Sequence, residues 1–312
     1  MIRSAKKRSW ARFLRPIGTI LSLALLVWLM ACQDWSLVLV YLNRLPWSLL
    51  LAALMFYGVG QVLNALRWYI LLRAQSVPIR FVDTLKIVLV GAFASNFLPS
   101  TIGGDVIRLV NIQPYTRNEG LSLASLILDR LVNMVAFVTV LPISFLTIPL
   151  QHISLPDLAF GLAIPGMDKL KLLLRRIFKQ FLDAYHLWAN QPATVFLAFV
   201  VSWFSIFVIF LGSWSLLTGL GVQVTLWQVM GVTALTYFVT LLPISINGIG
   251  LREFMITTLY VLLGAGVEQA TMMALISRFL MMAVTLPGAV WLGEMSRMVE
   301  KAGAKISAPN GE

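Results

Sequence analysis

Apolar residues occur along this chain in runs too long for a soluble core, and polar residues fill the short stretches between them. A helix needs roughly 20 mostly apolar residues to cross the ~30 Å hydrocarbon layer of a bilayer, and several runs reach or approach that length. Pro16 opens a first run that ends near Cys32, and Pro46 opens a second that reaches Arg73. A third covers residues 81–97 and stops at Pro99, where a glycine-bearing break leads into a short helical stretch from Val106 to Val110. Residues 121–141 read as a span, after which Pro142, Pro149, Pro156 and Pro165 interrupt the pattern. Further apolar segments cover residues 193–217, 222–242, 251–263 and 267–292, which brings the number to about eight.

Residues 168–186 differ in kind. Leu170, Leu173, Leu174, Ile177, Phe178, Phe181 and Leu182 keep helical spacing while Lys171, Arg175 and Lys179 share the other face. This predicts an amphipathic helix, lying on the membrane surface or packed on the bundle as a linker.

Composition agrees with the pattern: 59% of the 312 residues are hydrophobic, 12% are charged and the mean hydropathy is +0.86. The predicted fold class is all-α, a polytopic helical membrane protein forming one transmembrane domain over residues 1–312. A barrel would alternate polar and apolar positions at period two, and these runs do not. The net charge of +11 sits mostly in short segments flanking apolar runs, which positive-inside sorting explains and nucleic-acid binding does not. Arg3, Lys6, Lys7, Arg8, Arg12 and Arg15 place the N-terminus in the cytoplasm, Arg67, Arg73 and Arg80 mark a return to it, and Arg297, Lys301 and Lys305 argue for a cytoplasmic C-terminus. The expected location is the inner membrane. Cys32 is the single cysteine, so no intrachain disulfide forms, and the run 29–32 reads as the end of an uncleaved membrane helix in preference to a lipidation box.

The chain also resembles itself. Trp68 and Trp214 stand 146 residues apart, Pro99 and Pro243 144, Arg108 and Arg252 144, Arg130 and Arg278 148, and Pro142 and Pro287 145. These separations predict two repeats, about 46–150 and about 192–296, of the inverted kind that many transporters share. Positive-inside reasoning leaves two topologies open. In one every apolar segment spans. In the other the two breaks are tips of re-entrant hairpins, and an extra crossing lies between Pro142 and Ala189. Both orient the two breaks oppositely.

Candidate chemistry gathers at those breaks. Non-helical backbone at membrane depth is tolerated where protein or a water-filled cavity surrounds it. Gly103, Gly104, Gly248 and Gly250 let a ligand or a neighbouring helix approach the backbone, and the helix after each break aims N–H groups at that space. Intramembrane charge usually marks a site or pathway. Arg108, Arg130, Arg252 and Arg278 are the candidate anion-binding residues, with Asp105, Asp129 and Glu253 as counter-ions. Asp105 also suits a helix cap, and Asp129 beside Arg130 suits a structural pair. Asn96 and Asn247 suit either a ligand or an interhelical hydrogen bond. His152 and His186 lie away from both breaks, and no nucleophile motif or metal-ligand cluster is visible, so no enzyme activity, cofactor or metal is expected.

Residues 96–108 (NFLPSTIGGDVIR) and 242–253 (LPISINGIGLRE), with Asp129-Arg130 between them, resemble the membrane region of the lysylphosphatidylglycerol synthases, also described as flippase-like proteins. The resemblance covers about residues 50–292. It implies translocation of lipid between leaflets, with membrane lipids as partners. Full-length synthases add a soluble aminoacyl-transferase domain after this region, and only a short tail follows Leu292 here, so the lysyl-transfer activity is not carried over. The expected function is movement of an anionic phospholipid or lipid-linked glycan, with Arg108 and Arg252 on the phosphate and Asp105 and Glu253 pairing the arginines in the empty site. A non-enzymatic partner of a glycosyltransferase or lipid-synthesis enzyme, and a headgroup-modifying membrane enzyme, are the alternatives.

Overall fold

The computed structural model describes residues 40, 45–96, 103–149, 188–241 and 248–293, and these form helices and connecting turns without a strand. The first apolar run with Cys32, the amphipathic stretch, both histidines, Asn247, the cores of the two breaks at 97–102 and 242–247, and the basic tail lie outside the described residues.

Eight helices follow in order: α1 Trp47–Ala74, α2 Phe81–Ser95, α3 Gly103–Thr116, α4 Glu119–Thr147, α5 Pro192–Gly219, α6 Leu226–Thr240, α7 Leu251–Leu262 and α8 Val267–Thr285. A long helix, two short ones and a long one occur in each half. Only α1, α4, α5 and α8 with its continuation to Gly293 are long and apolar enough to cross a membrane among the described residues. Pro142 does not end its helix as the sequence pattern suggests. Pro142 lies inside α4, and Pro287 opens a further helical turn after α8. In a bundle a proline removes one ladder hydrogen bond, and neighbouring helices re-satisfy the freed carbonyl.

Helices α1 and α5 are paired along their length by small and polar residues. Tyr57 bonds Ser213 at 3.1 Å, Ser205 donates to the Gly60 carbonyl at 3.1 Å, Arg67 donates to Ser202 at 3.0 Å, and Gln191 donates to the Ala74 carbonyl at 2.8 Å. Partners ascend along α1 as they descend along α5, so the two helices are antiparallel. Because α1 and α5 open their respective halves, the halves run in opposite directions. The contacts respect the same exchange: α4 packs on α5 and α6, and α8 packs on α1 and α2.

Each pair of short helices folds back on itself. In α2 and α3, Gly91 meets Gly104: a Cβ on Gly104 would lie 2.4 Å from the Gly91 carbonyl oxygen and 1.9 Å from Ser95 Oγ. Ile87 and Ile112 share one apolar cluster further from the tip. At ~1.5 Å per residue these helices reach roughly 22 Å, short of a full crossing. Between the two topologies left open by the sequence, the described residues match the hairpins. Helix α2 follows the end of α1 and α6 follows the end of α5, so the hairpins enter the bundle from opposite ends.

Helix α4 runs alongside α5 in the same direction: Leu128 and Val132 cluster with Ala198, Trp203 donates to Thr139 at 3.0 Å, and the Phe137 and Phe210 rings meet edge to face. Thr147 and Pro192 therefore lie at opposite ends of the bundle. The extra crossing expected between Pro142 and Ala189 falls outside the described residues.

Candidate functional site

Two cavities lie where the hairpins meet the long helices. One, of about 200 Å³, is lined by Gln61, Asn64 and Arg67 of α1, by Gly91 and Ser95 of α2, by Gly104, Asp105 and Arg108 of α3, and by Asp129 and Asn133 of α4. The other, of about 240 Å³, is lined chiefly by apolar side chains together with Thr236, Tyr237 and Thr240 of α6 and Arg252 and Tyr260 of α7. Asn64 and Asn133 line both, so the cavities adjoin.

The first cavity is organised by Asp129, which is 1% exposed. Its Oδ1 accepts from Arg67 Nε at 2.7 Å and its Oδ2 from Arg108 Nη2 at 2.9 Å. Arg67 Nη1 also donates to Asn133 Oδ1 at 2.8 Å. The Arg108 guanidinium lies over the Trp68 ring, 4.2 Å from its centroid, which is within cation–π range. Asp105 is ion-paired with Arg130 and lies 3.6 Å from Arg108. Every carboxylate here is matched by a guanidinium, as burial of charge requires.

At the second hairpin, Gly248 and Gly250 take φ of +70° and +81°, which only glycine adopts cheaply. They turn the chain into α7. Glu253 in the first turn is fully buried, accepts from the Gly250 N–H at 2.8 Å and is ion-paired with Arg278. The helix start is thus capped by its own carboxylate. Arg252 Nη2 donates to Ser277 Oγ at 3.2 Å, and its Nη1 lies 3.8 Å from Glu253.

The sequence-derived site residues are therefore distributed as follows. Asp105, Arg108 and Gly104 line the smaller cavity and Arg252 the larger. Arg130, Arg278 and Glu253 stand beside them as ion-pair partners. Gly103 and Gly250 flank the helix starts, Gly104 serves the contact between α2 and α3, and Asn96 makes an interhelical bond to Thr285 Oγ1 at 3.1 Å. Asp129 pairs across helices with Arg67 and Arg108; Arg130 instead pairs with Asp105.

The two halves correspond differently from the proline-based register. Asp105 and Glu253 each occupy the third position of their helix, and each meets an arginine 25 residues later. Arg108 and Arg252, matched by their distance from proline, fall one turn after the carboxylate and just before it. Sequence reasoning read Arg67 as a boundary marker, yet it is 5% exposed and central to the smaller cavity. Its signal was position: it lies seven residues, roughly 10 Å, inside the end of α1. Asn64, Asn133 and Thr236 carried no comparable signal, because uncharged polar residues are ordinary in membrane helices.

Comparison with known proteins adds the following. The family model described as "Lysylphosphatidylglycerol synthase TM region" matches residues 17–288. A UPF0104 membrane protein of Pyrococcus horikoshii is 22% identical over 297 residues, covering 81% of this chain and 87% of that protein. No solved structure matches.

Proposed function

Since this chain belongs to the lysylphosphatidylglycerol synthase TM region family, we propose that it moves an anionic phospholipid or lipid-linked glycan between the leaflets of the inner membrane, with both termini in the cytoplasm. The observation that carries this reading is the pair of adjoining cavities between two oppositely directed halves, each cavity holding an arginine with an unpartnered buried nitrogen. A buried donor without a partner costs about 1–3 kcal/mol, more when charged, so these guanidinium atoms favour an anion. Inverted halves with interrupted helices at their interface are the usual arrangement for alternating access. Hairpins entering from opposite ends give a ligand one approach from each leaflet. In this reading Arg108 and Arg252 engage the headgroup, Asp129 and Glu253 hold the surrounding arginines in place, and the protein carries its ligand without altering it chemically.

The test is reconstitution into vesicles with labelled anionic phospholipid on one leaflet. Wild type accelerates its appearance on the other leaflet, and Arg108→Ala/Arg252→Ala abolishes the acceleration. Transport by the double variant at the wild-type rate overturns the assignment of the arginines. Conversion of the lipid to a new species points instead to an enzyme. Vesicles that show neither effect favour a partner role beside a lipid- or glycan-synthesising enzyme.

A further inference from the structure

We propose that Asn133 couples the two cavities: its side chain joins the arginine cluster of the smaller one to Tyr237 of the second hairpin, so that an anion entering the smaller cavity releases that hairpin. The inference rests on the translocation reading above and adds what holds the second hairpin shut until a ligand has entered.

Arg67 is the hub of the smaller cavity. Its Nε donates to Asp129 Oδ1 at 2.7 Å, and its Nη1 donates to Asn133 Oδ1 at 2.8 Å and to Ser202 Oγ at 3.0 Å. The other Asp129 oxygen accepts from Arg108. Asn133 is also hydrogen-bonded to the Tyr237 hydroxyl. The side chains of Arg108, Asp129, Arg67, Asn133 and Tyr237 thus run unbroken from the first hairpin to the second, by way of α4 and α1.

Tyr237 fastens the second hairpin. Helix α6 lies on α4 through Ser144, which donates to the Gly231 carbonyl at 2.9 Å, and through Phe137, whose ring stacks on Tyr237 with centroids 4.0 Å apart and planes 12° from parallel. Of these ties the Tyr237 hydroxyl is the one that leads into the ion cluster. Asn133 and Tyr237 both line the larger cavity, and Asn133 lines the smaller as well, so their bond stands where the two adjoin. An anion in the smaller cavity competes with Asp129 and Asn133 for the guanidinium groups. When Arg67 turns to it, Asn133 loses the donor that fixes its orientation, and its hold on Tyr237 goes with it. A ligand moves a conformational equilibrium only by binding one state better than the other, and the exchanged bonds supply that difference.

The mirror position lacks this link. Glu253 and Arg278 stand 148 residues after Asp105 and Arg130, and at the same separation Asp129 and Asn133 correspond to Ser277 and Met281, while Tyr237 corresponds to Leu89. Arg252 does reach these positions, donating to Ser277 Oγ at 3.2 Å and lying 3.7 Å from Met281 Sδ. A thioether and a leucine cannot carry the bond onward to the first hairpin. The polar connection therefore runs from the smaller cavity to the second hairpin, without a counterpart from the larger cavity to the first among the described residues.

The experiment uses the full chain in phosphatidylcholine vesicles, in a Cys32→Ser background, with a single reporter thiol in either hairpin: Ala92→Cys lining the smaller cavity or Thr240→Cys lining the larger. The rate of modification by a small thiol reagent is measured. Tyr237→Phe keeps the ring stack and removes only the hydroxyl; it raises the rate at Thr240→Cys by about fivefold, the scale of one neutral hydrogen bond, and leaves Ala92→Cys at its starting rate. Arg67→Lys keeps the charge but not the fork that spans Asp129 and Asn133, and raises the rate at Thr240→Cys to the same level although Arg67 does not line that cavity. Together the two substitutions act as either does alone, since both cut one link. An equal part of phosphatidic acid in the vesicles speeds labelling of Thr240→Cys in the parent protein and not in Tyr237→Phe, where the hairpin is already released. Thermal unfolding of each variant reports on folding, and if Arg67→Lys does not fold, Asn133→Leu takes its place in the cycle.

The coupling is overturned if the Arg67 or Asn133 substitution leaves Thr240→Cys at its starting rate, if the two effects multiply, if Tyr237→Phe raises both reporters equally, or if phosphatidic acid speeds labelling no more in the parent than in Tyr237→Phe. The expected labelling in a protein that moves no lipid across vesicles sinks the translocation reading and leaves the link standing. Lipid movement by wild type with multiplying effects sinks the link alone.

Discussion

Asp129 shows how much one carboxylate can organise. It is buried between Arg67 and Arg108, and each of its oxygens has a different guanidinium. Removing its charge leaves two buried cations facing one another, and breaking a buried pair in this way typically costs about 3–5 kcal/mol. Asp105 is also paired, but Arg130 retains 44% of its side-chain exposure, so water can replace much of that interaction. Asp129→Asn is therefore expected to lower the unfolding temperature in detergent far more than Asp105→Asn. Equal losses in a thermal melt would show that the two carboxylates carry the same structural weight, contrary to their burial.

At the scale of the element, the first hairpin depends on backbone contact between α2 and α3. Gly91 and Gly104 form it, and an added methyl on Gly104 would overlap both Ser95 Oγ and the Gly91 carbonyl. Because the Gly91 clash is with backbone, the helices themselves must separate, which overpacking data place at about 1–3 kcal/mol or more. Gly58 in α1 offers the contrast: nothing lies within 4 Å of the point where an added methyl would stand. Gly58→Ala is expected to be neutral or to stabilise by about 0.5–1 kcal/mol through helix propensity, while Gly104→Ala destabilises and lowers lipid retention. A melt in which Gly104→Ala matches wild type would mean that α2 and α3 are not in backbone contact. The stop expected at Pro142 was misleading: α4 continues past it to Thr147, since a membrane helix tolerates an internal proline where surrounding groups re-satisfy the freed backbone.

For the whole molecule, the antiparallel pairing of α1 and α5 fixes the opposition of the two halves. The turn after α1 and the turn after α5 must then face opposite sides of the membrane. In a Cys32→Ser background, Ser76→Cys and Gln223→Cys place single thiols at exposed positions of these turns. An impermeant maleimide should reach Ser76→Cys from the cytoplasmic side, as Arg73 and Arg80 direct, and Gln223→Cys from the other. Labelling of both from one face would exclude oppositely directed halves.

The sequence by itself determined the class of the molecule, the apolar segments that the described helices occupy and the concentration of arginine and glycine around two breaks. These are legible because hydrocarbon imposes a length and an apolar composition on each span, and because charge in such surroundings stands out. Which residues share a cavity was decided by the tertiary structure. Asp129 could pair with the adjacent Arg130 or with distant arginines, and the packing of α1, α3 and α4 selected Arg67 and Arg108. Likewise the proline register aligned Arg108 with Arg252, while the folded hairpins align Asp105 with Glu253. Pairing in space depends on helix phase and direction, and neither the spacing of breaks nor the spread of charge along the chain specifies those.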